Sequence, residues 1–199
     1  MRTNIKTSLL ALAMILPVSG AWTVANELLV LQPQSRLWID GTSTVRSFSC
    51  KAGEVNAVVE ANGANAISTL LTGDKGVKTV RVTVPAERMD CGNGTMNDHM
   101  KKALKVTESP TITFTLTDYD VTRNADGIAG TITGSLDLGG VTKSISFEAK
   151  GKSEGGMLRV DGAYDLRMTD YGLKPPSLMF GRIKVRENVK VNFDLLLKS

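Results

Sequence analysis

The side chains best able to serve as nucleophile, base or metal ligand are scarce in this 199-residue chain: two cysteines, Cys50 and Cys91, and one histidine, His99. As a general base His99 would need a nucleophile and an orienting carboxylate, and as a metal ligand it would need companions at fixed spacing. The sequence sets none beside it, so His99 reads as a helix-packing or hydrogen-bonding residue and no metal site is expected. Asp118, Asp120, Asp137, Asp165 and Asp170 are scattered through the second half. A glycosidase-type pair among them would depend on separation in space, and the pattern fits turns and exposed strand faces instead. Asp170 is expected to bond its own backbone in the turn before Gly172. No G-x-S-x-G, Walker A or dinucleotide fingerprint occurs. The chain is therefore not expected to be an enzyme, and no catalytic residue is assigned. Lys101, Lys102 and Lys105 form a small basic group. It reads as a solvated face, the rival reading being attraction to anionic head groups or a lipid diphosphate.

The cysteines take their meaning from the N-terminus. Arg2 and Lys6 precede the apolar run from Leu9 to Leu16, and Pro17, Ser19, Gly20 and Ala21 follow with small residues for cleavage. Residues 1–25 are expected to be a secretory signal cleaved near Ala21 or Ala25, the run being too short to span a bilayer. That places the remainder, 26–199, in the periplasm as one domain. In an oxidising compartment an even cysteine count favours one Cys50–Cys91 disulfide, worth about 3–4 kcal/mol in the chain-entropy model. A metal site is the rival, poorly served by two cysteines without a C-x-x-C or a histidine cluster. Removing Arg2 and Lys6 lowers the formal charge from +4 to +2, and the remaining cations are dispersed. Nucleic acid is not an expected partner.

The elements that position everything else are alternating strands. Thr131 to Phe147 holds two period-two runs, Ile132/Leu136/Leu138 and Val141/Ile145/Phe147, around Gly139-Gly140, which supply the positive φ of a tight hairpin. After a short polar leader, strands are expected at Arg36–Asp40, at Thr44–Lys51 with Val45 among its bulky members, and around Val55, Ala57 and Val59. Ala61 to Gly76 reads as a loop or short helical turn, and Val77–Val84 as a strand ended by Pro85. Met96–Lys105 reads as a short helix capped by Asn97 or Asp98. Further strands follow at Thr111–Thr117, Leu158–Leu166 and Val185–Leu197. Eight or nine strands at hairpin spacing imply an all-β antiparallel barrel or sandwich. Parity turns Phe114, Leu116, Leu136, Ile145, Phe147, Val160, Tyr164 and Phe193 inward, and Thr113, Thr115, Ser135, Ser144 and Asn192 outward. The irregular stretch from Tyr171 to Phe180, with Leu173, Leu178 and Met179, either plugs the barrel end or lines its entrance.

Three blocks resemble the YceI-like, or polyisoprenoid-binding, periplasmic proteins. Met96-Asn-Asp-His99-Met100 followed by Pro110-x-Ile112-x-Phe114 is similar to that family's M-x-x-H-L and P-x-I-x-F segments. Gly134-x-Leu136-x-Leu138-x-Gly140-Val141-Thr142-Lys143 resembles its hairpin, and Asp170-Tyr171-Gly172 its D-F-G turn. The chain departs at Thr42-Ser43, where the family often has His-Ser, and at Met168, where it often has Arg. The resemblance implies an extended lipocalin-like antiparallel barrel of about eight strands with one short helix. It also implies an apolar cavity that carries or sequesters a long isoprenoid lipid of polyprenyl or quinone type. On that reading the lipid meets the eight inward residues together with Tyr171, Leu178 and Phe180, no other cofactor is needed, and brief contact with a membrane surface is compatible. The competing expectation is a ligand-free interaction or stress-response barrel whose core is filled by its own side chains. Oligomeric state stays open.

Overall fold

The computed structural model describes residues 27–199, the side chains of Leu178 and Met179 excepted, so the expected export signal lies outside the described residues. In chain order the strands are β1 (Leu28–Leu31), β2 (Arg36–Thr42), β3 (Ser47–Ala52), β4 (Asn56–Ala61), β5 (Val77–Pro85), β6 (Met89–Asp90) and β7 (Thr111–Tyr119). They continue as β8 (Thr122–Asn124), β9 (Gly127–Leu138), β10 (Val141–Glu154), β11 (Met157–Arg167), β12 (Ser177–Leu178), β13 (Ile183–Lys184) and β14 (Asn188–Lys198). Two helices interrupt them, α1 (Ala66–Leu71) and α2 (Gly94–Ala103).

Eight strands close a ring in the order β1-β4-β5-β7-β9-β10-β11-β14, and β14 returns to β1. Every pairing is antiparallel, as expected for a lipocalin-like barrel. Closure removes the sheet edges that an open hairpin array would expose. The ring closes because β14 serves two neighbours. Its first half pairs with β2, Lys190 opposite Asp40, and its last residues pair with β1, Leu197 opposite Leu31. Between β1 and β2 the chain turns at Gln32–Ser35. The Ser35 hydroxyl there accepts from the Leu196 N–H at 3.0 Å, which keeps both strands beside β14. From β2 the sheet continues outward through β3 to β6.

The long β9–β10 hairpin turns on Gly139 and Gly140, at φ 60° and 79°, a pair of left-handed conformations that glycine adopts without a Cβ clash. Opposite β9, Thr117 is an extra residue in β7, the register stepping from Leu116↔Gly134 to Asp118↔Thr133. The bulge tightens the local twist.

Buried side chains fall into two clusters along the barrel. One gathers Leu29, Val59, Ala61, Ile128, Leu158 and Leu197 around Ala66, Ile67 and Leu70 of α1, which closes that end. The other gathers Leu138, Ile145, Leu166, Tyr171, Leu173 and Val189 under α2. Leu197 is the last residue but one of β14 and Val189 its second, so the two helices sit at opposite ends.

Several expectations need correction. Residues 28–31 form a strand rather than part of a polar leader; this uniformly apolar run lacks the alternation that marks the other strands. The segment 44–46 is a loop with Val45 in solvent, because the strand begins at Ser47. The cap of α2 is Asn93, whose side chain accepts from the Met96 N–H at 3.1 Å. Asn97 instead accepts from the Cys91 N–H and donates to Asp90. Ala61–Gly76 takes the second of its two expected forms, a short helical turn, as the six-residue α1, so the described residues hold two α-helices where the barrel expectation had one.

Candidate functional site

The barrel is hollow. A cavity of about 620 Å³ runs past Leu197, Leu195, Phe193, Val191 and Val189 of β14, hence along most of that strand. At roughly 3.4 Å rise per residue the run covers about 27 Å of strand. The volume falls within the usual range for small-molecule sites, about 300–1,000 Å³. A core filled by its own side chains, the competing expectation, would leave no such space.

All eight parity residues, Phe114, Leu116, Leu136, Ile145, Phe147, Val160, Tyr164 and Phe193, line this cavity, and none of Thr113, Thr115, Ser135, Ser144 and Asn192 does. The other three assigned residues differ. Tyr171 is buried, 2 % exposed, and packs within the cluster under α2 without lining the cavity. Phe180, in the turn between β12 and β13, is fully exposed and does not line the cavity. The Leu178 side chain lies outside the described residues. The irregular segment divides between its two expected roles: Tyr171 and Leu173 plug, while Leu173 also lines the cavity and Pro176 borders it.

At mid-barrel the lining is aromatic. Phe147 is central, its ring centroid 5.7 Å from Phe114, 6.1 Å from Tyr164 and 5.6 Å from Phe193. Tilted and edge-on pairs at these distances suit the ring quadrupoles. Two glycines let rings lie against the wall. A Cβ at Gly134 would come within 2.4 Å of the Phe114 ring, and one at Gly162 within 2.5 Å of Phe193. Aromatic rings seated on strand glycines are a known device of curved sheets.

Sequence parity missed the cavity's roof. Met96, His99, Met100 and Ala103 stand at i, i+3, i+4 and i+7 of α2 and all line the cavity. That spacing is one face of a helix, and it was legible once the helix was placed. The Cys50–Cys91 disulfide holds this roof, closing a separation of 41 residues between β3 and the segment before α2. Cys50 is fully buried and Cys91 borders the cavity.

Polar groups gather near the roof. Ser43, Arg46, Asn93, Thr95 and His99 line that end, with Arg46, Asn93 and Thr95 exposed, which marks the mouth. Among the described residues no polar or charged residue falls in the buried core. The Tyr171 hydroxyl is buried without a hydrogen-bond partner; burial first, then the neighbouring Tyr164 oxygen, pushes its pKa up, so it stays neutral. Among the described residues no three His, Cys, Asp or Glu side chains converge. What this interior can do is remove a long apolar molecule from water, with most of its polar lining at the α2 end and Asp120 and Lys150 bordering it on the α1 side.

A model of the YceI-like domain matches residues 34–197. A UPF0312 protein of Pseudomonas aeruginosa (strain LESB58) is 32% identical over 103 residues, 48% of this chain and 52% of that protein. The chain thus spans about half the length of the curated relatives it matches. Among solved structures, Burkholderia cenocepacia BcnA superposes with a TM-score of 0.63 at 15% identity, covering 82% of this chain and 96% of its own. A polyisoprenoid binding domain from Saccharophagus degradans gives 0.59 at 12% identity, covering 86% and 97%. At such identities the likeness is one of fold.

Proposed function

The chain belongs to the YceI-like family, and from that premise we propose that it is a non-catalytic binding protein for a long isoprenoid lipid, of polyprenyl or quinone type. The lipid lies in the barrel cavity and the protein carries or sequesters it in the periplasm once residues 1–25 are removed. The observation that carries this reading is one apolar cavity reaching from Leu197, beside α1, to the mouth beneath α2. A prenyl tail is branched, flexible and apolar, so burial is its main source of affinity, about 0.8 kcal/mol for each CH₂ removed from water. It needs few directed contacts along its length, and the lining offers few. An amphiphile's polar head then has Arg46, Asn93, Thr95 and His99 at the mouth. The solved Saccharophagus degradans domain, described as polyisoprenoid binding, supports the same ligand class.

The test is solvent extraction of mature protein purified from the periplasm, followed by mass spectrometry. An isoprenoid lipid recovered in near-stoichiometric amount is the expected result. Protein that is consistently empty, and that takes up no prenyl lipid from detergent solution, overturns the proposal.

A further inference from the structure

Beside the mouth, two segments form a surface that holding a lipid does not require. The loop after β2 and the β12–β13 hairpin are tied together: Ser43 bridges to Val185, the Thr44 N–H donates to the Lys184 carbonyl at 3.0 Å, and the Thr44 hydroxyl donates to the Arg182 carbonyl at 3.0 Å. Each exposes a large apolar side chain to water. Val45 is 67 % exposed and Phe180, at the hairpin's turn, is fully exposed. Phe180 also has a φ of 54°, a left-handed conformation in which a bulky residue is rare. Glycine or asparagine would turn the chain there at lower cost.

The chain segments that carry these two residues hold charge of one sign. Residues 41–53 and 173–186 carry Arg46, Lys51, Lys174, Arg182, Lys184 and Arg186, and no Asp or Glu. Among the described residues none of these six is in an ion pair. The surface runs into the cavity itself, since Val45, Arg46, Ile183 and Val185 also line it.

We propose that this rim docks the barrel, mouth down, on an anionic lipid bilayer. Phe180 and Val45 enter the boundary between head groups and acyl chains, and Arg46, Arg182, Lys184 and Arg186 face the lipid phosphates. Protruding apolar side chains set among unpaired cations suit an interfacial membrane contact. A protein partner would favour a flatter apolar centre depleted of charge. Docking lets the cargo pass between bilayer and cavity without crossing water, and in that consequence alone it rests on the lipid-binding reading.

The experiment is vesicle flotation with mature protein, comparing phosphatidylcholine with phosphatidylcholine containing phosphatidylglycerol. Wild type is expected to float with the anionic vesicles only, and to be released at high salt, where surface charge is screened. The double variant Arg182→Glu/Lys184→Glu should lower partitioning roughly tenfold or more, and Val45→Ser/Phe180→Ser should also weaken it. Val45 lies in the loop after β2 and Phe180, Arg182 and Lys184 in the β12–β13 hairpin, all four exposed, and unchanged melting temperatures are expected. Wild type that ignores anionic vesicles, floats equally with neutral ones, or is unaffected by the charge reversal overturns the proposal, as does capture of an acidic protein without vesicle binding. Uptake of a prenyl lipid from detergent solution is measured in parallel. Uptake without docking sinks the docking surface alone, and docking without uptake sinks the cargo reading alone.

Discussion

Asp194 shows how much of this barrel's outer face depends on single side chains. It lies on β14 between two guanidinium groups, accepting from Arg159 Nε and Nη2 at 2.7 Å each and from Arg36 Nη2 at 2.6 Å. Arg159 also reaches Glu154 at 2.9 Å, so one carboxylate joins β11, β14 and β2. Its side chain is only 13 % exposed. Arg159 first, and Arg36 after it, holds the Asp194 pKa down to about 2. A depressed carboxylate pKa contributes stability that is present above the unfolded value, about 3.9, and is lost as pH falls through the folded one. The window is therefore about pH 4 to 2. After allowance for solvent screening the network contributes about 1–2 kcal/mol. Asp194→Asn should lose that amount at pH 7 in chemical denaturation, and the gap to wild type should narrow towards pH 2. Parallel stability curves across that range would show that the network contributes nothing.

At the level of strands, the seat beneath Phe193 makes a second case. Gly162 faces Phe193 across β11 and β14, and a Cβ there would meet the ring at 2.5 Å and the Glu148 carbonyl oxygen at 2.8 Å. Gly162→Ala should cost about 1–3 kcal/mol as an overpacking change and tip Phe193 towards the cavity. Adding Phe193→Leu should recover part of the loss, and thermal melts of both variants check this; no recovery would mean the carbonyl contact dominates. Phe193 itself was legible from period-two parity, as were Phe114 and Phe147, because parity is local and alternate residues of a strand must share a face. The glycine seats were not, since they depend on which strand lies opposite. Nor was β1, whose place is set by pairing with β4 and β14, far away in sequence. Asn93 was passed over as cap because the helix starts before its first apolar residue. Phe180 was misplaced for a related reason: an apolar residue in an irregular segment carries no period, so hydrophobicity alone sent it inward.

The whole molecule is a tube closed at one end by α1 and roofed at the other by α2, with an aromatic waist between. If the space inside serves a ligand, narrowing it should affect binding before it affects stability. Val160 is the residue to enlarge. It lines the cavity on the α1 side of the waist, opposite Leu195 on β14 and Gly151 on β10. In a close-packed interior Val160→Phe would force neighbours off their rotamers and cost about 1–3 kcal/mol. Here the added ring atoms enter open space, where they gain contacts rather than lose them. Delipidated Val160→Phe should therefore melt within a few degrees of wild type. The long tail, by contrast, must pass this point to reach Leu70 and Leu197, so uptake of long prenyl lipids should fall sharply while short ones still bind. The two measurements separate the outcomes. Retained stability with lost long-chain uptake is what a ligand tunnel gives, whereas a large drop in melting temperature of the lipid-free variant would mean that the barrel closes on itself when empty.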